Sequence, residues 1–349
     1  MIATRNLRRA RILIVGCGDV GLRCLARLGA RPDHVRVFAL ARRPERDAVL
    51  RAAGAVPVRG DLDARASLRR LAGLAHTVLH LAPPQKSGDD DLRTRGLIAA
   101  LAARRRAAAR PALAGMAVPA RRPARHGMFG HAASPGRSAI VPERTWRSPG
   151  ARHTRLTLVY ASTTGVYGDC AGARIDETRT PQPANARAIR RVSAERQLRR
   201  ATARGALRAT VARIPGIYAA NRLPLARLEK RTPALVERDD VYTSHIHADD
   251  LAAILLRMAT HGRPARTIHA SDDSELKMGE YFDRVADAFG LARAPRVSRE
   301  AAERELDPVL LSFMRESRRL SNARLKRELR VRLRYADVDA FLRTLPPHP

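Results

Sequence analysis

The sequence predicts an α/β fold, a doubly wound parallel sheet with a small C-terminal lobe. Three observations carry that expectation. Short apolar runs alternate with helix patterns over the first hundred residues, a glycine-rich turn joins the first run to the first helix, and the same rhythm returns after residue 155. Strands linked by helices are parallel, their crossovers are right-handed, and helices cover both sheet faces.

Residues 11–15, Arg-Ile-Leu-Ile-Val, read as a buried strand, and 22–28 as the helix after the glycine turn. Residues 35–40 and 55–58 give the second and third strands, with a helix over 46–53 between them. A helix over 68–74 leads to a fourth strand, 77–82, halted by Pro83-Pro84, and a helix follows over 91–103. Residues 104–155 break the rhythm, with twelve arginines, six prolines, five glycines and a single acid, Glu143. No helix or strand period is sustained there, so too little apolar surface is available to offset the entropy of ordering. The segment is expected to be an Arg/Pro-rich, mostly disordered insertion; a basic functional arm is the sharper alternative.

Order resumes with a fifth strand over 156–161, a long helix over 184–203 and a sixth strand over 209–214, ended by Pro215-Gly216. Helices are expected over 223–230, 249–260, 278–289 and 299–305, with strands over 241–246 and 266–270. Residues 1–103 and 156–215 thus form the doubly wound domain, and 216–349 mainly the smaller lobe, with 241–270 returning to the core.

The chain has 349 residues and a formal net charge of +32, from 66 Lys plus Arg against 34 Asp plus Glu, and only four of the basic residues are lysine. Such a charge invites a nucleic-acid reading. The arginines run through the whole chain, however, and aromatics are only 4%, without the basic–aromatic interleaving that a stacking platform needs. No specific nucleic-acid partner is expected. No apolar run reaches the ~18 residues of a membrane span, so no membrane partner is expected either. Residues 1–10 lack the apolar segment of a secretory signal, and Cys17, Cys24 and Cys170 share no CxxC spacing. A reducing cytoplasm is the expected location.

Gly16-Cys17-Gly18-Asp19-Val20-Gly21 fits GxGxxG between a strand and a helix. The first glycine permits a tight turn, the second lets backbone approach a pyrophosphate, and the third lets helix and strand pack closely. The pyrophosphate then meets unpaired N–H groups at the positive end of the helix dipole. This is the signature of a Rossmann-type NAD(P) site. An acid at the end of the second strand would hold the ribose of NAD, but Ala41-Arg42-Arg43 stands there. Arginine pairs with a 2′-phosphate, so NADP is favoured over NAD. Asp61 and Leu62, after the third strand, and Leu81 and Ala82, at the end of the fourth, complete the candidate cofactor residues. Asp61 either accepts from the adenine amino group or serves as a turn residue.

With these residues in place the chain resembles the NAD(P)-dependent epimerase/dehydratase family, the extended and atypical short-chain dehydrogenase/reductases. The resemblance rests on the glycine turn, Gly60-Asp61-Leu62, Ser162-Thr163-Thr164-Gly165-Val166-Tyr167-Gly168, Arg213-Ile214-Pro215-Gly216-Ile217-Tyr218 and Ile246-His247-Ala248-Asp249-Asp250, in this order. It implies an oxidoreductase or isomerase with a Ser/Thr–Tyr–Lys catalytic set and pairing of subunits through a four-helix interface, hence a homodimer. Thr163 falls at the Ser/Thr position. The YxxxK pair is missing. Counted back from Glu195, Arg187 stands at the tyrosine position and Arg191 at the lysine position. Arg191 keeps the positive charge, whereas Arg187 cannot give up a proton at neutral pH. Tyr167 and Tyr218 are candidates for the missing tyrosine or residues of the pocket wall.

His245 and His247 share a face of a predicted strand, with Asp249 and Asp250 behind them; no metal site is expected, and either aspartate is expected to cap the next helix. His80 is expected to be a satisfied core histidine, and Asp176-Glu177 a surface turn. Cys17, at a helix N-terminus, is a candidate for a lowered thiol pKa and redox sensing. The resulting expectation is an NAD(P)-dependent enzyme acting on a hydroxyl- or carbonyl-bearing small molecule, with a nucleotide sugar as one candidate. The alternative is a catalytically inactive NADP(H)-binding redox sensor.

Overall fold

Seven strands form one sheet: Ala10–Val15 (β1), Val35–Ala41 (β2), Ala55–Arg59 (β3), Thr77–His80 (β4), Thr157–Thr163 (β5), Arg208–Ile214 (β6) and Thr267–His269 (β7). Their order is β7-β6-β5-β4-β1-β2-β3, and every pairing is parallel. This computed structural model describes residues 9–29, 35–108 and 155–346, so most of the Arg/Pro-rich segment expected at 104–155 lies outside the described residues. The strand order reverses at β1, which has β2 on one side and β4 on the other. Ligands bind in the crevice beyond the carboxyl ends of strands at such a reversal.

The helices are Asp19–Gly29 (α1), Asp47–Ala52 (α2), Leu92–Ala108 (α3), Ala186–Ala203 (α4), Leu225–Glu229 (α5), Ala248–His261 (α6), Met278–Ala288 (α7), Arg299–Glu305 (α8), Pro308–Phe313 (α9), Ala323–Leu329 (α10) and Val338–Leu342 (α11). Alternation along β1 feeds two cores. Ile12 and Ile14 pack with Cys24, Leu25 and Leu28 of α1 and with Leu251, Ile254 and Leu255 of α6. Leu13 and Val15 pack on the other face with Leu97 and Leu101 of α3 and Ala194 and Leu198 of α4. A third cluster builds the C-terminal lobe from Leu228 of α5, Tyr281, Phe282 and Val285 of α7, Val338, Phe341 and Leu342 of α11, and Tyr218.

Two expected elements differ. The helix expected over 68–74 is a 3-10 stretch, Arg65–Leu71. Its buried residues, Leu68 and Leu71, are three apart, a spacing that stacks on one face in 3-10 geometry. The strand expected over 241–246 breaks at Ser244. Tyr242–Thr243 pairs antiparallel with Leu276–Lys277, while His245–His247 pairs parallel with Gly216–Tyr218, and neither joins the central sheet.

Candidate functional site

The glycine turn sits at the strand reversal, between β1 and α1. Gly16 has φ +86°, and a Cβ there would lie 2.4 Å from the Ala82 backbone nitrogen, so only glycine lets the ends of β1 and β4 approach. Leu81 N–H donates to the Val15 carbonyl at 2.8 Å and holds the two strand ends together. At Gly18 a Cβ would meet nothing within 4 Å, so the backbone there faces open space at the start of α1. At Gly21 a Cβ would come within 3.0 Å of Cys17 Sγ and 3.5 Å of Ile14 Cγ2, which reflects the close helix–strand packing. Val20 packs against the core beneath. Asp19 pairs with Arg23 of the same helix and with Arg222.

Arg42 is exposed at the end of β2 and faces Asp61 across 3.9 Å. Asp61 Oδ1 accepts from Asp63 N–H at 3.0 Å, which makes it a turn residue, and Leu62 beside it is half-buried. Arg43 is exposed and precedes the 3-10 turn Pro44–Arg46. Sequence reasoning missed Arg46. Its Nη2 donates to the Cys17 carbonyl at 2.9 Å and brings a guanidinium onto the glycine turn. Among so many arginines, position alone gave it no distinction. Cys17 itself corrects the redox expectation: burial pushes its thiol up to about 11 despite the charge of Arg46.

At the end of β5, Thr163 Oγ1 accepts from Gly165 N–H at 3.3 Å. Arg191 reaches the same strand from α4. Its Nη1 donates to the Ala161 carbonyl at 2.6 Å and to the Tyr160 hydroxyl at 3.1 Å, while its Nε is buried with no hydrogen-bond partner among the described residues. Arg187 lies exposed one turn earlier. Tyr167 is fully buried. Its hydroxyl accepts from Arg213 Nη1 at 2.7 Å and lies 2.5 Å from His269 Nε2. Because His269 Nδ1 donates to the Ser321 carbonyl at 3.0 Å, Nε2 is the acceptor of the hydrogen bond that the Tyr167 hydroxyl donates. Burial pushes the Tyr167 hydroxyl up to about 12, against the charge of Arg213. Tyr218, the other tyrosine candidate, is buried in the lobe cluster, with its ring 5.3 Å from that of His247.

Strand register aligns Ser162, Arg213 and His269 in one row across β5, β6 and β7. Behind that row Glu195 of α4, with no solvent exposure, accepts from Ser162, Arg199 and Arg213.

Three expectations about neighbouring residues change. Helix α6 is capped by His247, whose Nδ1 accepts from Asp249 N–H at 3.2 Å, and not by an aspartate side chain. Asp249 turns instead to Arg23, and Asp250 accepts from Arg334 and Tyr335 backbone N–H groups. Glu177 is buried, accepts from His269 N–H at 2.9 Å, and burial raises its carboxyl pKa, so it is not a surface residue. His80 is buried at the end of β4 with Nε2 2.9 Å from Thr94 Oγ1, although its Nδ1 lacks a partner among the described residues. No group of three or more metal-ligating side chains occurs among the described residues, and no helix among them is long and apolar enough to cross a membrane.

The parallel sheet, its reversal at β1 and the glycine turn define a Rossmann-type α/β protein. Its resemblance to the NAD-dependent epimerase/dehydratase family is also found by comparison: the family's sequence model matches residues 146–270, a span that takes in the motifs at 162–168, 213–218 and 246–250. No curated protein matches the sequence. Among solved structures, a functionally unknown conserved protein from Silicibacter pomeroyi DSS is 25% identical with a TM-score of 0.69, over 96% of this chain and 98% of that one. UDP-glucose 4-epimerase from Thermotoga maritima is 14% identical with a TM-score of 0.65, over 95% of this chain and 96% of that one. MoeE5, solved with UDP-glucose and NAD, is 17% identical with a TM-score of 0.63, over 96% of this chain and 97% of that one.

Proposed function

We propose that the chain is an NAD(P)-dependent epimerase/dehydratase-like oxidoreductase acting on a hydroxyl- or carbonyl-bearing small molecule, with nucleotide sugars as the substrate class. The observation that carries this is the open backbone at Gly18, at the N-terminus of α1 and at the strand reversal. The backbone of Gly16, Gly18, Asp19, Val20 and Gly21 would hold the pyrophosphate, Arg42, Arg43, Asp61 and Leu62 the adenosine end, and Leu81 and Ala82 the wall beyond β4. When bound, the nicotinamide supplies a hydride acceptor and donor. Arg42, Arg43 and Arg46 support NADP; the NAD bound by MoeE5 supports the alternative.

Thr163 orients the substrate oxygen, and Arg191 keeps a fixed positive charge beside it. Arg187 releases no proton at neutral pH, and the Tyr167 hydroxyl donates to His269, so water carries the proton in this reading. Residues 1–103 and 156–215 serve as the nucleotide-binding domain and 216–349 mainly as the substrate lobe, in a cytoplasmic homodimer without a specific nucleic-acid partner. The arginine at the tyrosine position favours one second reading, an NADP(H)-binding redox sensor without turnover. Absorbance at 340 nm during incubation with NAD or NADP and a panel of UDP-sugars, together with chromatography for epimerised product, separates the two. Turnover supports the enzyme; cofactor binding without turnover across the panel supports the sensor.

A further inference from the structure

Asp19, the first residue of α1, stands directly after the open backbone of Gly18. Its carboxylate accepts from Arg222 Nε at 2.9 Å, from Arg23 Nε at 3.3 Å and from Asn221 Nδ2 at 3.5 Å. Arg23 is fixed independently, donating to Asp249 Oδ1 at 2.6 Å and to Asn221 Oδ1 at 3.1 Å. Asn221 and Arg222 belong to the 3-10 turn Ala220–Arg222, which follows Gly216–Tyr218 and leads toward the C-terminal lobe. A segment about two hundred residues away in sequence is therefore pinned to the glycine turn by one carboxylate. Partial burial works against that charge, yet hydrogen bonds and charges from Arg23 and then Arg222 hold the Asp19 carboxyl below its usual range. The pinned guanidinium is not enclosed: the Arg222 side chain is 36% exposed.

The carboxylate sits where the helix end and two guanidinium groups favour an anion. A dinucleotide brings two phosphates to the same helix end, and a guanidinium fork matches phosphate oxygens as it matches carboxylate oxygens. We infer that Arg222 is an anion-binding residue of the dinucleotide site, exchanging Asp19 for the pyrophosphate and drawing the 220–222 turn onto the cofactor. Asp19, left with Arg23, is the internal competitor that holds Arg222 in place until the ligand arrives. This inference rests on the reading of the glycine turn as a dinucleotide site.

NADH fluorescence titrations of wild type, Arg222→Gln, Arg222→Lys and Asp19→Asn test it. Losing a charge-assisted contact weakens NADH binding about tenfold in Arg222→Gln and flattens its salt dependence. Arg222→Lys recovers the salt dependence and part of the affinity. Asp19→Asn, which removes the competitor, binds NADH more tightly than wild type, while affinity for adenosine is unchanged in all variants. Equal NADH affinity in wild type and Arg222→Gln, or equal weakening in Arg222→Gln and Asp19→Asn, overturns the inference and leaves only a structural clasp. Absence of binding of both NADH and NADPH to wild type overturns the cofactor reading itself, and the inference with it.

Discussion

Arg213 and Glu195 form an ion pair of two hydrogen bonds, 2.7 and 3.1 Å long, between β6 and α4, with 1% and 0% of their side chains exposed. The pair ties the polar row at the ends of β5, β6 and β7 to the helix that carries Arg191. Its charges are buried but served. Glu195 also accepts from Ser162 and Arg199, and Arg213 also reaches Tyr167.

Removing one partner strands the other charge without solvent. Glu195→Ala is expected to lower the unfolding free energy by about 3–5 kcal/mol, measured by urea denaturation. A loss within the range of an exposed ion pair, below ~1 kcal/mol, would contradict the burial.

Gly16→Ala is expected to lower the melting temperature and to weaken nucleotide binding together. The added Cβ combines a positive φ with a 2.4 Å approach to the Ala82 nitrogen, so the ends of β1 and β4 must part. Gly18→Ala, with open space around it, leaves the melting temperature close to wild type.

Acidification acts through buried histidines. Burial lowers the pKa of His245 to about 4 from 6.5. The unfolded chain therefore binds a proton that the fold refuses, and the neutral-state stability is lost as pH falls below about 6.5. Relative to wild type, the deficit of His245→Asn should shrink by up to ~1.4 kcal/mol per pH unit as pH drops from 6.5 to 5. A deficit that stays constant with pH would contradict it.

Asp272 carries the opposite sign. Buried after β7, it accepts from Ser274 N–H at 3.0 Å, and burial pushes its carboxyl up to about 7. Between about 4 and 7 the fold holds a proton that the unfolded chain has released, so raising pH costs stability. The unfolding free energy of Asp272→Asn relative to wild type should improve as pH rises from 5 to 7. Parallel pH profiles for the two proteins would count against this assignment.

The elements set by local pattern were the legible ones. The apolar run of β1 and the glycine turn need only their own neighbours to be read, and the row of parallel strands follows from their alternation with helices. What escaped depends on tertiary partners. Glu177 looks like a surface acid until His269 N–H and Arg324 are seen against it. Asp249 looks like a helix cap, but Arg23 claims its carboxylate and His247 takes the cap. Arg46 and Arg222 carry no sequence signal in a chain with 66 basic residues, and only their contacts at the glycine turn distinguish them.

The proposed function depends most directly on the glycine turn being a dinucleotide site. Calorimetric titration of wild type and Gly18→Asp with NADH and NADPH tests it, because the introduced carboxylate fills the open space and repels a pyrophosphate. Saturable binding of at least one nucleotide to wild type is expected, and none to a folded Gly18→Asp variant. No binding to wild type, or unchanged affinity in the variant, would contradict it.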